Sequence, residues 1–221
     1  VKVRYAMDIA IDRQAIADQI FLGYGFPKVG FQSWGFGANT PGNAWYHRWQ
    51  IRPYDPQKAK QLLAEAGYPN GFNMNGWAIE LPYNADVVTA IANFWEKNLN
   101  IKVNLKKAQY NPTVRQNFIT RTFGDHVMTY ISGAPTGPVP SFTVYCSWCT
   151  LAYFEHPISD AIIRQYEGVL DLDNVLAIST KLGDFVYDNV IGNGVVEGQL
   201  LWGIHKDYVK EWNKPVNQTL F

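Results

Sequence analysis

Apolar residues recur at helical spacing along much of the chain and alternate with polar residues in a few shorter runs. The clearest helix follows Asp55, whose carboxylate can accept from the free N–H groups of a first turn, and begins at Pro56, which suits the first helical position. Its apolar stripe consists of Ala59, Leu62, Leu63 and Ala66. Gly67 can end the helix in the left-handed conformation, and a Pro-Asn-Gly turn follows.

The same spacing predicts helices over residues 3–10, 13–22, 85–98, 112–121, 158–170 and 175–189. Asp12 is expected to cap the second of these, and Asp171 and Asp173 lie at a helix start, where a carboxylate favours the positive end of the dipole. Strands are predicted over residues 75–81, 101–105, 126–131 and 199–205. Alternating helices and strands indicate an α/β fold with a mixed sheet flanked by helices, in one domain over residues 1–221.

Two stretches without periodicity separate these elements. Residues 23–53 are rich in Gly, Pro, Asn and Trp, and residues 132–141 are rich in Gly and Pro. A long irregular loop inside a compact domain is usually functional. Aromatic residues make up 15% of the chain, including 8 Trp and 13 Tyr, so we expect some flat surfaces to face a ligand or another part of the protein. The alternative for any single aromatic is a place in the core, which is the commoner outcome.

Charge and composition exclude several classes of function. Lys plus Arg equals Asp plus Glu at 19 each, so nothing favours nucleic acid or an anionic membrane as a partner. Apolar residues reach 47%, yet no run is long enough to span a bilayer. The four His show no zinc or catalytic spacing, and no nucleophile elbow, phosphate loop or dinucleotide glycine pattern is present. The sequence therefore predicts a soluble protein that is not an enzyme and holds no cofactor or metal.

The sharpest local motif is Cys146-Ser147-Trp148-Cys149, which follows the second loop. A redox site of the thioredoxin kind would need the pair at a helix N-terminus after a strand. A zinc site would need further ligands, and only His156 lies near in sequence. A local disulfide is the favoured alternative for an exported protein, with two buried thiols as the remaining one. A disulfide here would stiffen the loop and present Trp148 at little entropic cost.

Two ordered blocks carry a family resemblance. The run R-P-Y-D-P-Q-K-A-K-Q-L-L-A-E-A-G-Y-P-N-G-F, residues 52–72, resembles the "Y-D-P-x-K-A-K-x-L-L-x-E-A-G-Y-P-x-G-F" stretch of family 5 solute-binding proteins, which serve peptide-, nickel- and oligosaccharide-importing ABC transporters. The run V-R-Y-A-M-D-I-A-I-D-R-Q-A-I, residues 3–16, is similar to their "V-R-x-A-L-x-x-A-I-D-R-x-A-I". The resemblance implies the C-terminal lobe of a two-lobed periplasmic-binding-protein-like fold, with residues after about 199 returning toward a first lobe outside these 221 residues.

The resemblance also bears on the ligand. In this family the segment after the strand at residues 126–131 faces the cleft between the lobes, and dipeptide-binding members carry an acidic residue there for the peptide amino group. Residues 130–138 contain no carboxylate, and Leu81 stands where those members place an arginine before a "P-Y-N" run. Flat aromatics with neutral polar groups suit sugar rings or an apolar peptide, and nickel is disfavoured because few ligands are on offer. The predicted ligand contacts are Trp34, Tyr130, Thr136, Tyr145 and Trp148.

The expected function is capture of an oligopeptide or neutral oligosaccharide between two lobes, followed by delivery to an ABC permease in the membrane. The resemblance implies a periplasmic or extracellular location, with a membrane tether through the absent N-terminal part as one option. Two alternatives from other classes stay open. One is a fragment of a secreted carbohydrate-active enzyme, which would place two carboxylates in one aromatic cleft. The other is a protein-interaction module that uses the aromatic patch.

Overall fold

The computed structural model describes residues 1–27, 48–122, 126–128, 145–150, 152, 154–192, 194–198, 205, 207–209 and 211, with the backbone alone described at 126–128. The helices are α1 Lys2–Ile9, α2 Arg13–Ile20, α3 Pro56–Glu65, α4 Asn84–Leu99, a π-helix Tyr110–Arg115, α5 Gln116–Thr120, α6 Pro157–Arg164 and α7 Leu172–Asp188. The strands are β1 Gly25–Pro27, β2 Asn73–Ile79, β3 Lys102–Ala108, β4 His126–Met128 and β5 Val196–Gly198.

Three of these strands form a parallel sheet in the order β3-β2-β4. The central strand β2 pairs with β3 along its whole length and with β4 from Asn75 to Trp77. Helix α4 connects β2 to β3, as parallel neighbours require a crossover. The short strands β1 and β5 form a separate antiparallel pair, which joins the beginning of the chain to the segment after α7.

The largest core lies where α1, α2 and α3 meet α4. Its buried side chains are Ala6, Ile9, Ala10, Ile11, Ile16, Ala59, Leu63, Val87, Ile91, Trp95, Leu99 and Ile101. Asp55 caps α3 by accepting from the Lys58 amide at 2.9 Å, and Asp12 caps α2 by accepting from the Ala15 amide at 2.9 Å. The caps fix where both helices begin, and Ile16 of α2 and Leu63 of α3 are buried in the same core.

A second core joins α6, α7 and the turn that contains both cysteines. Its buried members are Tyr145, Cys146, Ile163, Ile178, Leu182 and Val186. A third, smaller cluster lies under the carboxyl ends of β2 and β3, where Ile79 and Ala108 pack against Val114 and Phe118. The π-helix and α5 are therefore fastened to the sheet at that edge.

The structure confirms most predicted helices and shows where the predicted limits are wrong. Helix α6 ends at Arg164, six residues early, because residues 165–168 form a turn in which Gly168 is left-handed at φ +82°. Strand β2 runs two residues earlier than predicted, since the Leu81 amide turns back to the Ile79 carbonyl. The predicted helix at 112–121 is divided into the π-helix and α5. Residues 23–53 include β1, and the predicted strand at 199–205 falls outside the described residues except for position 205.

Candidate functional site

The carboxyl ends of the three parallel strands meet at one edge of the sheet. Open α/β sheets bind their ligands at this edge, which is therefore called the ligand edge. The segment after β2 is the turn Leu81–Tyr83, and the segment after β3 is the π-helix. The segment after β4, residues 129–144, lies outside the described residues. The described part of this edge therefore consists of two short segments with different geometries.

Tyr83 is the most exposed large side chain of the β2 turn. It is 52% exposed, has a left-handed backbone at φ 63°, and stacks on Phe21 with ring centroids 5.1 Å apart. A left-handed aromatic residue costs about 1–3 kcal/mol, and such outliers cluster at functional sites. Leu81 beside it is also exposed and carries no charge. The turn thus offers an apolar surface at the ligand edge.

The π-helix follows the carboxyl end of β3, just as the turn Leu81–Tyr83 follows the carboxyl end of β2. Val114 is buried in the third cluster, while Tyr110 is partly buried against it. Single π-helical turns are rare and often lie at functional sites, because the wider turn redirects side chains at a cost in stability. The π-helix and Tyr83 therefore both lie at the ligand edge, and each is of a kind that is common at functional sites.

Cys146 and Cys149 are joined by a disulfide in the turn that follows the undescribed segment, and the Cys149 amide donates to the Cys146 carbonyl at 3.1 Å. Arg121, at the end of α5, donates to the carbonyls of Cys149 at 2.6 Å and Thr150 at 3.2 Å. Asp160 of α6 accepts from the Ser147 amide at 2.9 Å. This turn, residues 146–150, is named the disulfide turn below.

Trp148 and Tyr145 occupy opposite environments around the disulfide turn. Trp148 is 46% exposed, and the Arg164 guanidinium lies 4.3 Å from the centroid of its ring. Tyr145 is only 8% exposed and packs in the second core, where burial raises the pKa of its hydroxyl to about 12. The position of Tyr145 favours the core role that the sequence left as the alternative for any single aromatic.

Residues 28–47, which include Trp34, lie outside the described chain, but both flanks are described. On one side β1 pairs with β5. On the other, Arg48 donates to both carboxylate oxygens of Asp184 at 2.9 and 2.6 Å, and the Trp49 indole donates to Asp184 at 3.0 Å. The hydrogen bond from Arg48 is the main cause that holds the pKa of Asp184 below its ordinary value, against partial burial and with help from Trp49.

Other features of the described chain are less suited to a ligand. An open depression of about 440 Å³ is lined by residues 73–75 and 102–104, at the amino ends of β2 and β3 and thus away from the ligand edge. In the described ranges no cluster of three His, Cys, Asp or Glu could hold a metal ion. None of the described helices is long and apolar enough to cross a membrane.

The structure brings together two of the predicted contacts, Tyr145 and Trp148, around the disulfide turn. Trp34, Tyr130 and Thr136 lie outside the described residues and stay predictions. Sequence reasoning missed Arg121 and Asp160, because each reaches a partner 13 or more positions away and no local pattern joins them.

Comparison with known proteins gives partial matches that agree with one another. The family profile "Bacterial extracellular solute-binding proteins, family 5 Middle" matches residues 1–150. Heme-binding protein A of Haemophilus influenzae is 43% identical over 79 residues, 35% of this chain and 13% of that protein. Glutathione-binding protein GsiB of Salmonella choleraesuis is 37% identical over 98 residues, 44% of this chain and 17% of that protein. The matched segments are thus a small part of those relatives.

Solved structures extend the likeness to most of the chain at the level of the fold. A dipeptide-binding protein of Pseudoalteromonas in complex with Met-Leu has a TM-score of 0.70 at 20% identity, covering 89% of this chain and 39% of its own. NikZ of Campylobacter jejuni in complex with Ni(L-His) has a TM-score of 0.67 at 16% identity, covering 88% and 41%. The predicted α/β fold, that of a periplasmic binding protein, is confirmed. Because the profile matches more than half of the residues, the chain belongs to the bacterial extracellular solute-binding proteins of family 5.

Proposed function

We propose that this chain is one lobe of a two-lobed extracytoplasmic receptor that captures an oligopeptide and delivers it to an ABC permease. The observation that carries the proposal is the family match over residues 1–150. Relatives support a peptide ligand by their names, since one binds glutathione and another was solved with Met-Leu. The lobes would close about a hinge on the ligand, so that the permease meets only the loaded form.

The ligand edge supports an apolar or uncharged peptide. Leu81 lies at that edge where a carboxylate-binding arginine would be expected, and Tyr83 beside it is exposed and apolar. A buried peptide carboxylate without a cationic partner would be costly. A ligand longer than a dipeptide could keep its charged ends away from Leu81 and so avoid that cost.

A neutral oligosaccharide is a second candidate, and the observation that favours it is the half-exposed indole of Trp148. Arg164 lies over one ring face, and the 46% exposure of the residue is what would admit a flat ligand. Sugar rings present such a flat, weakly polar face.

The test is a thermal-shift screen of the two-lobed protein against uncharged oligopeptides, dipeptides and neutral oligosaccharides, with the 221-residue chain in parallel. A ligand that binds only the native state at about 100 times its Kd adds roughly 2.7 kcal/mol, which raises Tm by several degrees. We expect this rise with oligopeptides in the two-lobed protein and little in the single chain. Hydrolysis of a glycan would favour the enzyme alternative, and a stable protein complex without any small ligand would favour the interaction module.

A further inference from the structure

We propose that Arg121 and Asp160 are positioning residues that hold the disulfide turn to two different helices, α5 and α6, so that Trp148 keeps one fixed place as a ligand contact. The proposal rests on the proposed function, in which Trp148 meets the solute. It assigns the placement of the indole to these two side chains and not to the disulfide. Neither residue contacts the ligand in this account, since both act through Trp148.

Arg121 fastens the turn to α5. Its guanidinium donates to the carbonyls of Phe118 at 2.7 Å, within the α5 segment, and of Cys149 at 2.6 Å, within the turn. Further donations reach Thr150 and Ser147 at 3.2 and 3.4 Å, and Glu155 pairs with its Nε atom. One planar group thus collects carbonyls from three positions of the turn. Lysine cannot reproduce this arrangement, because its ammonium is a single point of donation.

Asp160 fastens the turn to α6. One carboxylate oxygen accepts from the Ser147 amide at 2.9 Å and the other from the Ser147 hydroxyl at 2.7 Å. Ser147 precedes Trp148, and Arg164, one helical turn after Asp160, lies over the indole. Two side chains on one face of α6 therefore fix the backbone before the indole and one face of its ring.

The disulfide cannot replace these contacts. As a covalent link it joins two residues three positions apart within the same turn, and its connection to α6 is the packing of Cys146 with Ile163 in the second core. A cross-link that closes so short a loop also restricts the unfolded chain less than a long one does. It shapes the turn locally, whereas Arg121 and Asp160 set where the turn lies relative to the rest of the fold.

Fluorine NMR on the two-lobed protein labelled with 5-fluorotryptophan reads the placement directly. Trp148→Phe assigns the resonance among those of the 8 Trp in this chain. We expect the Trp148 resonance to shift or broaden in Asp160→Ala and in Arg121→Gln. It should stay in place in Asp160→Asn, whose amide can still accept from the Ser147 amide and donate to its hydroxyl. It should also stay after reduction of the disulfide.

Asp171→Ala is the matched control. Asp171 caps α7 with the same pair of bonds, accepting from the Asn174 amide and side chain at 2.9 and 2.8 Å, but it lies away from the turn. We expect a lower Tm with the Trp148 resonance unmoved. The proposal is overturned if the Trp148 resonance stays in place in both Asp160→Ala and Arg121→Gln. It is also overturned if reduction of the disulfide shifts that resonance as much as these two substitutions do. Neither outcome requires a known ligand.

A second experiment tests whether Trp148 contacts the ligand. It measures the affinity for a neutral oligopeptide or oligosaccharide that raises Tm in the screen. Trp148→Ala should weaken binding by about tenfold, the scale of one aromatic contact. Asp160→Ala should weaken it in the wild-type background and have no further effect in Trp148→Ala. Wild-type affinity in both single variants overturns the inference while the proposed function stands. If no ligand binds at all, the proposed function fails and the NMR result still decides the positioning.

Discussion

At the scale of single residues, the contact of Asp8 with Arg13 and Arg52 brings together three largely buried charges in the described part of the chain. Asp8 is 1% exposed, and both guanidinium groups donate to its carboxylate. Arg52 also donates to the Tyr187 carbonyl at 2.6 Å and stacks on the Tyr187 ring at 4.0 Å. The network therefore ties α1 and α2 to the end of α7.

We predict that Asp8→Asn lowers the free energy of unfolding by about 3–5 kcal/mol, because it leaves two guanidinium groups without their anionic partner. Urea denaturation measures the effect. Glu65→Gln is the control, since it breaks the exposed pair of Lys2 and Glu65 and should change stability little. Similar losses of unfolding free energy in the two variants would contradict a large contribution from the buried contacts of Asp8.

Gly183 in α7 has no side chain, and this leaves room for the indole of Trp49. A Cβ atom there would overlap the indole of Trp49, which is buried and donates to Asp184. Alanine within a helix normally gains about 1 kcal/mol over glycine. We predict instead that Gly183→Ala destabilises the fold by roughly 1–3 kcal/mol in thermal or urea unfolding. The loss should shrink in a Trp49→Leu background, and an equal loss in both backgrounds would contradict the steric explanation.

At the scale of elements, the turn from α3 to β2 contains two left-handed glycines that differ in surroundings. Gly67 has open space at its Cβ position, whereas a Cβ on Gly71 would overlap the Asn100 carbonyl at the end of α4. We predict a cost of about 1–2 kcal/mol for Gly67→Ala, which is conformational strain alone. Gly71→Ala should cost clearly more, because α4 must also move away. Equal unfolding free energies for the two variants would mean that α4 does not pack closely on this turn.

The sequence predicted α3 and its caps because every signal there is local: Asp55 before the helix, Pro56 at its start and Gly67 after it. It failed where distant contacts decide. The contacts of Arg121 and Asp160 with the disulfide turn join positions far apart along the chain, and the π-helix packs Val114 against Ile79 of β2. The early end of α6 is a local exception, because the turn that ends it at Gly168 was overlooked in favour of the apolar spacing. No local pattern predicts the left-handed backbone of Tyr83 or its stacking on Phe21, which lies 62 positions earlier in the chain.

At the scale of the whole molecule, the chain covers 39% of the dipeptide-binding protein with which it shares a fold. Under the proposed function it is one lobe of a larger receptor and holds part of the binding surface. Within this lobe, the ligand edge and the disulfide turn are joined by α5, whose Phe118 packs under β2 and β3 and whose end carries Arg121. Helix α5 therefore contacts both surfaces.

Calorimetric titration of a neutral oligopeptide into the two-lobed protein and into the 221-residue chain alone tests the central claim most directly. We expect saturable binding to the two-lobed protein and affinity at least about a hundredfold weaker in the 221-residue chain, because the proposed second lobe would supply the opposing contacts. That ratio corresponds to roughly 2.7 kcal/mol of binding free energy supplied by the other lobe. Equal affinity in the two proteins, or no binding of any solute to the two-lobed form, would contradict it.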